Sequence, residues 1–299
     1  MTVSVGFTAL ASASTTTGNP TIVGLWHLDK IEPSGDSVVT PDAASYNNGI
    51  LGGDPHPPLV NGKFDKAISF DGVSFVYVPI DFLVGFPPAP QPIHIPISTS
   101  LNIQNQIKID AWINVQAYTN ATYNVIVLKC TRTDPTWYST SRVVGLAVRG
   151  FGTEDGVSVP AGSLSGFVRT ESGAFNEIVT TGPAITLDEW IHVTFTRTPT
   201  GMHLYVNGEE QTVNAIHGVQ NPSGKIMNGT EIYFGHDAKI TMDEVSMTDL
   251  APEVENQMLA SIDIGPNLMI VVVAVALIFA VAWLLRRAIQ MRVIHSRSS

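Results

Sequence analysis

The chain has 299 residues, of which 44% are hydrophobic, so it can form one large domain with accessory segments around a sizeable core. Residues 1–285 hold all 26 acidic residues but only 12 of the 16 basic ones, a net charge of −14. We therefore expect no nucleic-acid partner, because binding phosphates requires clustered Lys and Arg. The single cysteine, Cys130, excludes an intramolecular disulfide, and we expect a buried small hydrophobe rather than a reactive thiol.

The first 21 residues form a segment separate from the predicted domain. MTVSVGFTALASAS combines a short apolar run with small residues spaced as at a signal-peptide cleavage site, but it lacks a basic region at its start. Three interpretations stay open: a signal trimmed by the choice of start, an atypical signal, or a tail-anchored protein. The following TTTGNPT is typical of a polar spacer.

Residues 22–250 predict an all-β domain. Many short runs alternate partly between apolar and polar residues, each bounded by Gly, Pro, Asn or Asp, and no run has a convincing helical period. Such a pattern is typical of a β-sandwich or jelly roll. The predicted strands are 22–28, 67–72, 74–80, 107–113, 123–130, 143–149, 165–169, 189–197, 202–208, 231–236 and 240–247.

The stretch DEWIHVTFTRTPTGMHLYVNGEE predicts a hairpin with one buried face. Alternation across it would pair Phe195 with Leu204 and Val193 with Val206. Asn207-Gly208 is typical of a tight turn that needs two residues with positive φ. The stretch contains no acid–base pair and no nucleophile, so it predicts a scaffold.

The C-terminal part predicts a single membrane crossing. Leu268–Leu285 is apolar throughout, and the uncharged run of 22 residues around it would extend about 33 Å as a helix. Trp283 suits the membrane interface, and the arginines that follow place the tail in the cytoplasm and the large domain outside the membrane. The predicted segments are a short helix and linker (251–265), a transmembrane helix (266–285) and a basic tail (286–299).

The hairpin W-I-H-V-T-F-T…M-H-L-Y-V-N-G resembles the signature hairpin of laminin G-like, concanavalin A-like lectin/glucanase jelly-roll domains. Other pieces occur in that family's order, and the resemblance covers about residues 22–262. It implies two antiparallel sheets packed face to face. These pieces are GLWHLD (24–29), NNGIL (47–51), GKFDKAISFDG (62–72), IDAWI (109–113) and TMDEVSM (241–247).

Two loops depart from the family's pattern. Phe86–Pro96 is a proline-rich insertion, interpreted as a rigid polyproline-like surface loop, with a docking segment for a partner as the alternative. The loop Thr131–Arg142 contains Trp137 and Tyr138, which are candidate ligand-binding residues because flat aromatic rings with a polar tip suit stacking on sugars. The alternative is that both rings fold back onto the sheet.

The resemblance also implies a structural calcium ion, because domains of this family often bind one at the sandwich edge. Asp29, Asp71 and Asp243 lie beside strand ends in matching motifs, and carboxylate oxygens are ligands that calcium prefers. Asp71-Gly72 as a simple turn and Asp29 as a strand terminator are the alternatives. Asn120 and Asn228 begin Asn-x-Thr sequences, which are glycosylation acceptors if the domain is exported.

Glycoside hydrolases also occur on this fold, and retention of configuration requires two carboxylates about 5 Å apart. The Glu-x-Asp-x-x-Glu strand of laminarinase-like members is missing, and Asp243 and Glu244 are adjacent, so a strand would point them to opposite faces. We therefore expect no enzyme. The sequence favours a non-catalytic, surface-displayed, membrane-anchored module that binds glycans or proteins. The alternatives are a structural or accessory subunit of a larger membrane assembly and, third, a glycoside hydrolase.

Overall fold

The structure, a computed structural model, describes residues 19–84, 93–96, 99–131, 142–229 and 231–251. The chain divides into two compact units, Met1–Glu253 and Val254–Ser299, and every described residue belongs to the first. No helix in the described ranges is long and apolar enough to cross a membrane. The predicted membrane helix at 266–285, the tail and nearly all of the 251–265 segment lie outside these ranges.

Strands are the regular elements of the described ranges, which confirms the all-β prediction. In chain order they are β1 (Thr21–Trp26), β2 (Glu32–Ser34), β3 (Ser37–Thr40), β4 (Gly49–Gly52), β5 (Leu59–Asn61), β6 (Lys66–Asp71), β7 (Phe75–Pro79), β8 (Asp81–Val84), β9 (Ile93–Pro96), β10 (Ile107–Ala117), β11 (Tyr123–Cys130), β12 (Arg142–Arg149), β13 (Leu164–Arg169), β14 (Phe175–Thr180), β15 (Trp190–Thr198), β16 (Gly201–Val206), β17 (Glu209–Glu210), β18 (Val213–His217), β19 (Glu231–Phe234) and β20 (Lys239–Asp249).

The strands form two large antiparallel sheets and one small one. The eight-stranded sheet has the order β17-β16-β15-β10-β20-β6-β5, with β1 also paired to β20. The ten-stranded sheet has the order β18-β14-β13-β12-β11-β19-β7-β4-β3-β2, and β8 pairs with β9 alone. Residues from both large sheets share one apolar cluster, so the two sheets pack face to face as a sandwich.

Trp26 connects the two large sheets across the sandwich core. It lies on β1 of the eight-stranded sheet, is fully buried, and packs edge-on against Phe234 of the ten-stranded sheet with ring centroids 4.9 Å apart. Its indole N–H donates to the Asn47 carbonyl at 2.8 Å. The ring therefore buries a large apolar area while its one polar atom is satisfied.

The ten-stranded sheet has a second face, and β13 identifies it. A Cβ added at Gly166 would lie 2.3 Å from the Phe195 ring on β15, so position 166 faces the sandwich interior. The neighbouring Phe167 therefore points away from the eight-stranded sheet. We call this side of the ten-stranded sheet the outer face. A second cluster of buried apolar residues, which includes Phe167 and Tyr123, lies on it.

The predicted hairpin is confirmed in register, since Phe195 pairs with Leu204 and Val193 with Val206. Asn207 and Gly208 both have positive φ, at 50° and 83°, as the predicted turn requires. Cys130 is buried at the end of β11, as expected.

The prediction of a continuous polyproline-like loop at Phe86–Pro96 is wrong for its last four residues. Ile93–Pro96 forms β9, which pairs with Asp81–Val84. Two isoleucines at alternate positions favour a strand, and Pro96 lies at the strand end, where a proline is tolerated. Residues 85–92 lie outside the described ranges.

Replacement of Gly166 by Ala tests the contact between the sheets. Because the added methyl group would overlap the Phe195 ring, we expect a loss of about 1–3 kcal/mol in the free energy of unfolding. Gly182→Ala is the control, since nothing lies within 4 Å of a Cβ there. Urea denaturation followed by circular dichroism measures both, and equal midpoints would contradict the packing described here.

Candidate functional site

The outer face gathers charged and aromatic side chains from five strands. Cross-strand register sets Tyr123 opposite Arg149, Phe167 opposite Glu177, and Glu177 opposite His217. All of these positions lie on the same side of the sheet as Phe167 because facing residues of paired strands share a face. The sheet thus brings together residues separated by nearly a hundred positions in the sequence.

Glu177 lies at the centre of this group and contacts three of its side chains. Its side chain is fully buried and pairs with Arg149, whose Nη1 lies 3.0 Å from Glu177 Oε1 and whose side chain is 1% exposed. Ser165 donates to the same oxygen at 2.5 Å, and the Tyr123 hydroxyl donates to Oε2 at 2.8 Å. A buried carboxylate needs such partners, because without them its desolvation would be very unfavourable.

Glu154 reaches the same tyrosine from a loop. The Tyr123 hydroxyl lies 2.6 Å from Glu154 Oε2, and Arg142 binds both carboxylate oxygens of Glu154 through its two terminal nitrogens. Burial acts to raise the pKa of Glu154, but hydrogen bonds from Arg142 and Tyr123 outweigh it, and the pKa lies below its ordinary value. Glu154 is therefore ionised at neutral pH. We call Tyr123, Arg142, Arg149, Glu154 and Glu177 the arginine–glutamate cluster.

Aromatic rings hold the two guanidinium groups of the cluster in place. The Arg142 guanidinium carbon lies 4.6 Å from the Tyr123 ring centroid and 4.8 Å from that of Phe175. The Arg149 guanidinium carbon lies 4.4 Å from the Tyr123 ring centroid. Burial raises the pKa of Tyr123, and the Glu177 charge adds to this effect, so the phenol stays protonated and donates. Cation–π contacts and ion pairs together make the cluster rigid.

Two cavities adjoin the cluster, and Arg142 and Glu154 line both. The larger, of about 440 Å³, is also lined by Asn120, Thr122 and Tyr123. The smaller, of about 280 Å³, is also lined by Asp155, Arg169, Phe175 and His217. The Arg142–Glu154 ion pair therefore stands between two spaces that are each large enough for part of a small ligand.

The arginines also carry unused hydrogen-bonding capacity. Nε of Arg142 and Nε of Arg149 are buried and have no acceptor among the described residues. Buried donors without acceptors are unfavourable unless a ligand or water supplies an oxygen. The donor on Arg142 belongs to a side chain that lines both cavities, so it can serve a ligand there.

A metal ion fits this cluster poorly. Glu154, Glu177 and His217 offer ligand atoms within 4.8 Å of one another, and within the described ranges they are the one set of three or more acidic, histidine or cysteine residues that does so. Arg142 and Arg149 already neutralise the two carboxylates, so a cation would face two guanidinium groups at close range. The cluster suits an uncharged or anionic ligand better.

The three predicted calcium ligands do not come together in the part of the chain that the structure describes. Asp29 and Asp71 are exposed, and Asp71 Oδ1 accepts hydrogen bonds from the Val73 and Ser74 backbones, which lower its pKa to about 2. These bonds are those of a turn. Calcium shared by all three aspartates does not fit this arrangement, and calcium bound by other ligand sets stays a prediction.

Asp243 differs from the other two aspartates. It is fully buried on β20, and its Oδ2 accepts from the Phe64 backbone N–H at 2.9 Å, while its Oδ1 has no partner among the described residues. Burial raises its pKa, and the neighbouring Glu244 charge adds to the effect. An orphaned buried carboxylate oxygen is consistent with either a proton or a bound cation.

Of the predicted sugar-binding and glycosylation residues, the structure describes only the two asparagines. Trp137 and Tyr138 lie outside the described residues, so their predicted sugar contact stays a prediction. Asn120 is exposed and lines the larger cavity. Asn228 is also exposed, and its side-chain oxygen accepts from Gln104 at 3.1 Å. Both positions are accessible for the predicted glycosylation.

Sequence reasoning missed the arginine–glutamate cluster. It did not predict β14, which carries Glu177, or β18, which carries His217. It also searched for a carboxylate pair within one strand, whereas Glu154 comes from a loop and Glu177 from a strand. The available signal was the charged residue at the centre of FNEIVT, but a lone charge on an alternating strand is usually exposed.

The chain belongs to the concanavalin A-like lectin/glucanases superfamily. A laminin G-type family model with that description matches residues 91–252, which is more than half of the chain. The match spans β9 to β20, and hence Tyr123, Glu154 and Glu177. The predicted resemblance is confirmed for the β-sandwich domain.

Solved structures with similar folds come from several kinds of protein. Domain 4 of AbnA, a GH43 extracellular arabinanase from Geobacillus stearothermophilus in complex with arabinotriose, is 15% identical with a TM-score of 0.46, covering 78% of this chain and 95% of that one. Trypanosoma rangeli sialidase is 13% identical (TM-score 0.48; 82% and 33% covered). The botulinum neurotoxin type G receptor binding domain is 10% identical (0.42; 78% and 48%).

The chain thus spans about a third of the sialidase and about half of the neurotoxin domain. No curated protein sequence matches it. Similarity at this level identifies neither a ligand nor an activity for this chain.

Replacement of Arg149 by Met tests the buried ion pair. It leaves Glu177 as an uncompensated buried charge, so we expect the free energy of unfolding to fall by about 3–5 kcal/mol. The double variant Arg149→Met/Glu177→Leu should recover much of this loss. Lys30→Met, in the exposed pair of Lys30 with Glu32, should leave the unfolding transition unchanged. Strictly additive losses in a denaturant double-mutant cycle would show that the two buried residues are not coupled.

Replacement of Asp243 by Asn tests the raised pKa. A carboxyl group with a raised folded-state pKa contributes stability that is present below its ordinary pKa and is lost as the pH rises through the folded value. We therefore expect Asp243→Asn to become progressively more stable relative to the unmodified chain as the pH rises from 3 to 7. Melting temperatures across this range, with and without calcium and chelator, measure the effect.

The comparison with and without calcium distinguishes the two interpretations of Asp243 Oδ1, the carboxylate oxygen that has no partner among the described residues. If a cation rather than a proton satisfies Asp243, calcium should raise the melting temperature of the unmodified chain but not that of Asp243→Asn. An unchanged melting temperature in chelator would remove the structural-calcium prediction. Asp36→Asn, at an exposed aspartate that is not a predicted calcium ligand, is the control for charge removal.

Proposed function

We propose that this protein is a non-catalytic binding module for glycans, and that the two cavities beside the Arg142–Glu154 ion pair form its binding site. One observation carries the proposal: a buried arginine lines both cavities and has an N–H donor without an acceptor among the described residues. Such a donor can serve an oxygen atom from outside the domain once the side chains that bury it move apart.

The chemistry around the cavities suits a carbohydrate. Sugars present hydroxyl groups at their edges and weakly polar C–H surfaces on their faces, so their sites combine aromatic rings with hydrogen-bonding side chains. Asn120, Thr122 and His217 supply polar groups to the cavities, and the rings of Tyr123 and Phe175 line them while also carrying guanidinium groups. The ion pairs fix Arg142 and Glu154 before a ligand arrives, which reduces the entropy lost on binding.

The charge state of the cluster supports binding rather than hydrolysis. A glycoside hydrolase needs one carboxyl group that stays protonated to donate to the leaving group. Glu154 has a lowered pKa, and Glu177 is paired with Arg149. Neither is arranged as a general acid.

Hydrolysis is the second candidate function because of one specific observation. Oxygen atoms of Glu154 and Glu177 lie within 4.8 Å, and the Tyr123 hydroxyl bridges them. The separation is close to that of the carboxylates in retaining enzymes. Hydrolysis of an oligosaccharide that Glu177→Gln abolishes, while the variant stays folded, would favour the enzyme over the binding module.

We also propose that the module is displayed on the outer side of a membrane. The support is the uncharged run that contains Leu268–Leu285 and the arginines that follow it. An accessory subunit of a larger membrane assembly is the alternative, with residues 86–96 as its docking segment. Protease added to intact cells should remove the large domain, and a stable complex after mild detergent extraction would favour the subunit.

Replacement of Arg142 by Lys tests the glycan site. Lysine keeps the charge opposite Glu154 but loses the forked geometry and the Nε donor, so we expect affinity for a glycan identified on an array to fall by about tenfold or more. Arg197→Lys is the matched control, since Arg197 is bound to three loop carbonyls away from the cluster. Isothermal titration with the full-length chain in mild detergent measures both. Equal affinities for the two variants would place the glycan elsewhere.

A further inference from the structure

We infer that Glu154 occupies the subsite in which Arg142 and Tyr123 bind a carboxylate of the ligand, so that the ligand is an acidic, uronic-acid-type oligosaccharide. This inference rests on the proposed glycan function, and it identifies the class of glycan. In the structure the protein's own side chain fills the position that the ligand's carboxylate would take.

The contacts around Glu154 are those of a carboxylate receptor. Arg142 binds both oxygens through Nη1 and Nη2, and the Tyr123 hydroxyl, whose one proton is shared with Glu177 at 2.8 Å, lies 2.6 Å from one of them. A guanidinium fork matches the two parallel oxygens of a carboxylate in distance and direction. Because these contacts recognise the group and not the chain that carries it, a carboxylate from a sugar can make them equally well.

Glu154 is the member of the cluster that can be displaced. Glu177 lies on β14, is fully buried and has three donors. Glu154 instead belongs to a short turn closed by the bridge between Glu154 and Val157, in which Asp155 and Gly156 have positive φ. Its side chain is 17% exposed. A loop residue at the surface can move aside with little disturbance of the sheet, whereas a strand residue cannot.

Displacement of Glu154 by a ligand carboxylate would have two structural consequences. The Arg142–Glu154 pair stands between the two cavities, so its opening would join them into one longer groove. An incoming carboxylate would keep the Arg142 charge paired, which avoids an isolated buried cation. Oxygen atoms of the same sugar could then reach the Arg142 Nε donor that has no acceptor among the described residues.

The first test uses acetate as a free carboxylate. In the full-length chain carrying Glu154→Ala, the receptor lacks its own carboxylate, so 100 mM sodium acetate should raise the melting temperature relative to sodium chloride at equal ionic strength. Glu154→Gln, whose neutral amide binds the guanidinium more weakly than a carboxylate does, should show a smaller acetate-specific shift, and the unmodified chain should show none. Asp36→Ala is the control because it removes an exposed charge at the opposite edge of the same sheet. Equal shifts in Asp36→Ala and Glu154→Ala, or none in either, would overturn the inference.

The second test uses two matched sugars, trigalacturonate and the neutral galactose trisaccharide of the same linkage. Glu154→Gln should bind the acidic trisaccharide about tenfold more tightly than the unmodified chain does, because the internal competitor is gone, and the neutral sugar should gain nothing. Asp36→Asn, at an exposed position away from both cavities, controls for net charge. Glu154→Gln also keeps the inference testable if Glu154→Ala does not fold.

The two tests separate this inference from the function on which it rests. If both sugars bind equally and acetate has no effect, the glycan function stands and the carboxylate subsite is wrong. If acetate stabilises Glu154→Ala but neither trisaccharide binds, the carboxylate subsite stands, whereas the glycan function and the acidic-sugar assignment are wrong.

Discussion

The ten-stranded sheet buries residues on both of its faces, and one face is apolar while the other carries charged side chains. The arginine–glutamate cluster exists because the charges on the second face have to be paired. Gly166 and Phe167 show the two faces at adjacent positions, since one faces Phe195 in the sandwich core and the other faces the arginine–glutamate cluster. The inner face is apolar, so hydrophobic burial is sufficient to stabilise it. The outer face carries charges, and these can be buried only as fully paired groups.

The pairing on the outer face is too elaborate for stability alone. Buried ion pairs often contribute little net stability, because desolvation offsets much of their attraction. We relate the arrangement of Arg142, Arg149, Glu154 and Glu177 around the Tyr123 hydroxyl to the recognition role proposed above, since rigid charged groups bind with specificity and little loss of entropy.

Acidic groups play three different roles in this domain. Glu177 is a strand residue with arginine, serine and tyrosine partners, and it holds the cluster together. Glu154 is a loop residue bound by Arg142, and we propose that Arg142 can bind the carboxylate of a ligand instead. Asp243 has one oxygen without a partner among the described residues and a raised pKa, so its protonation can depend on pH. The partner set, rather than the residue type, determines what each carboxylate can do.

The sequence by itself determined the fold class and much of the hairpin chemistry. Alternating residues and turn signals such as Asn207-Gly208 act over a few positions, so they are readable without the fold. Only the tertiary structure decided the site, because Tyr123, Glu154 and Glu177 come from different elements whose neighbours follow from sheet order. A strand shows which residues share a face, but it does not show which strand lies beside it or whether that face is buried. Charged residues that look exposed in the sequence can therefore come together as a buried, paired cluster such as the one proposed here as a binding site.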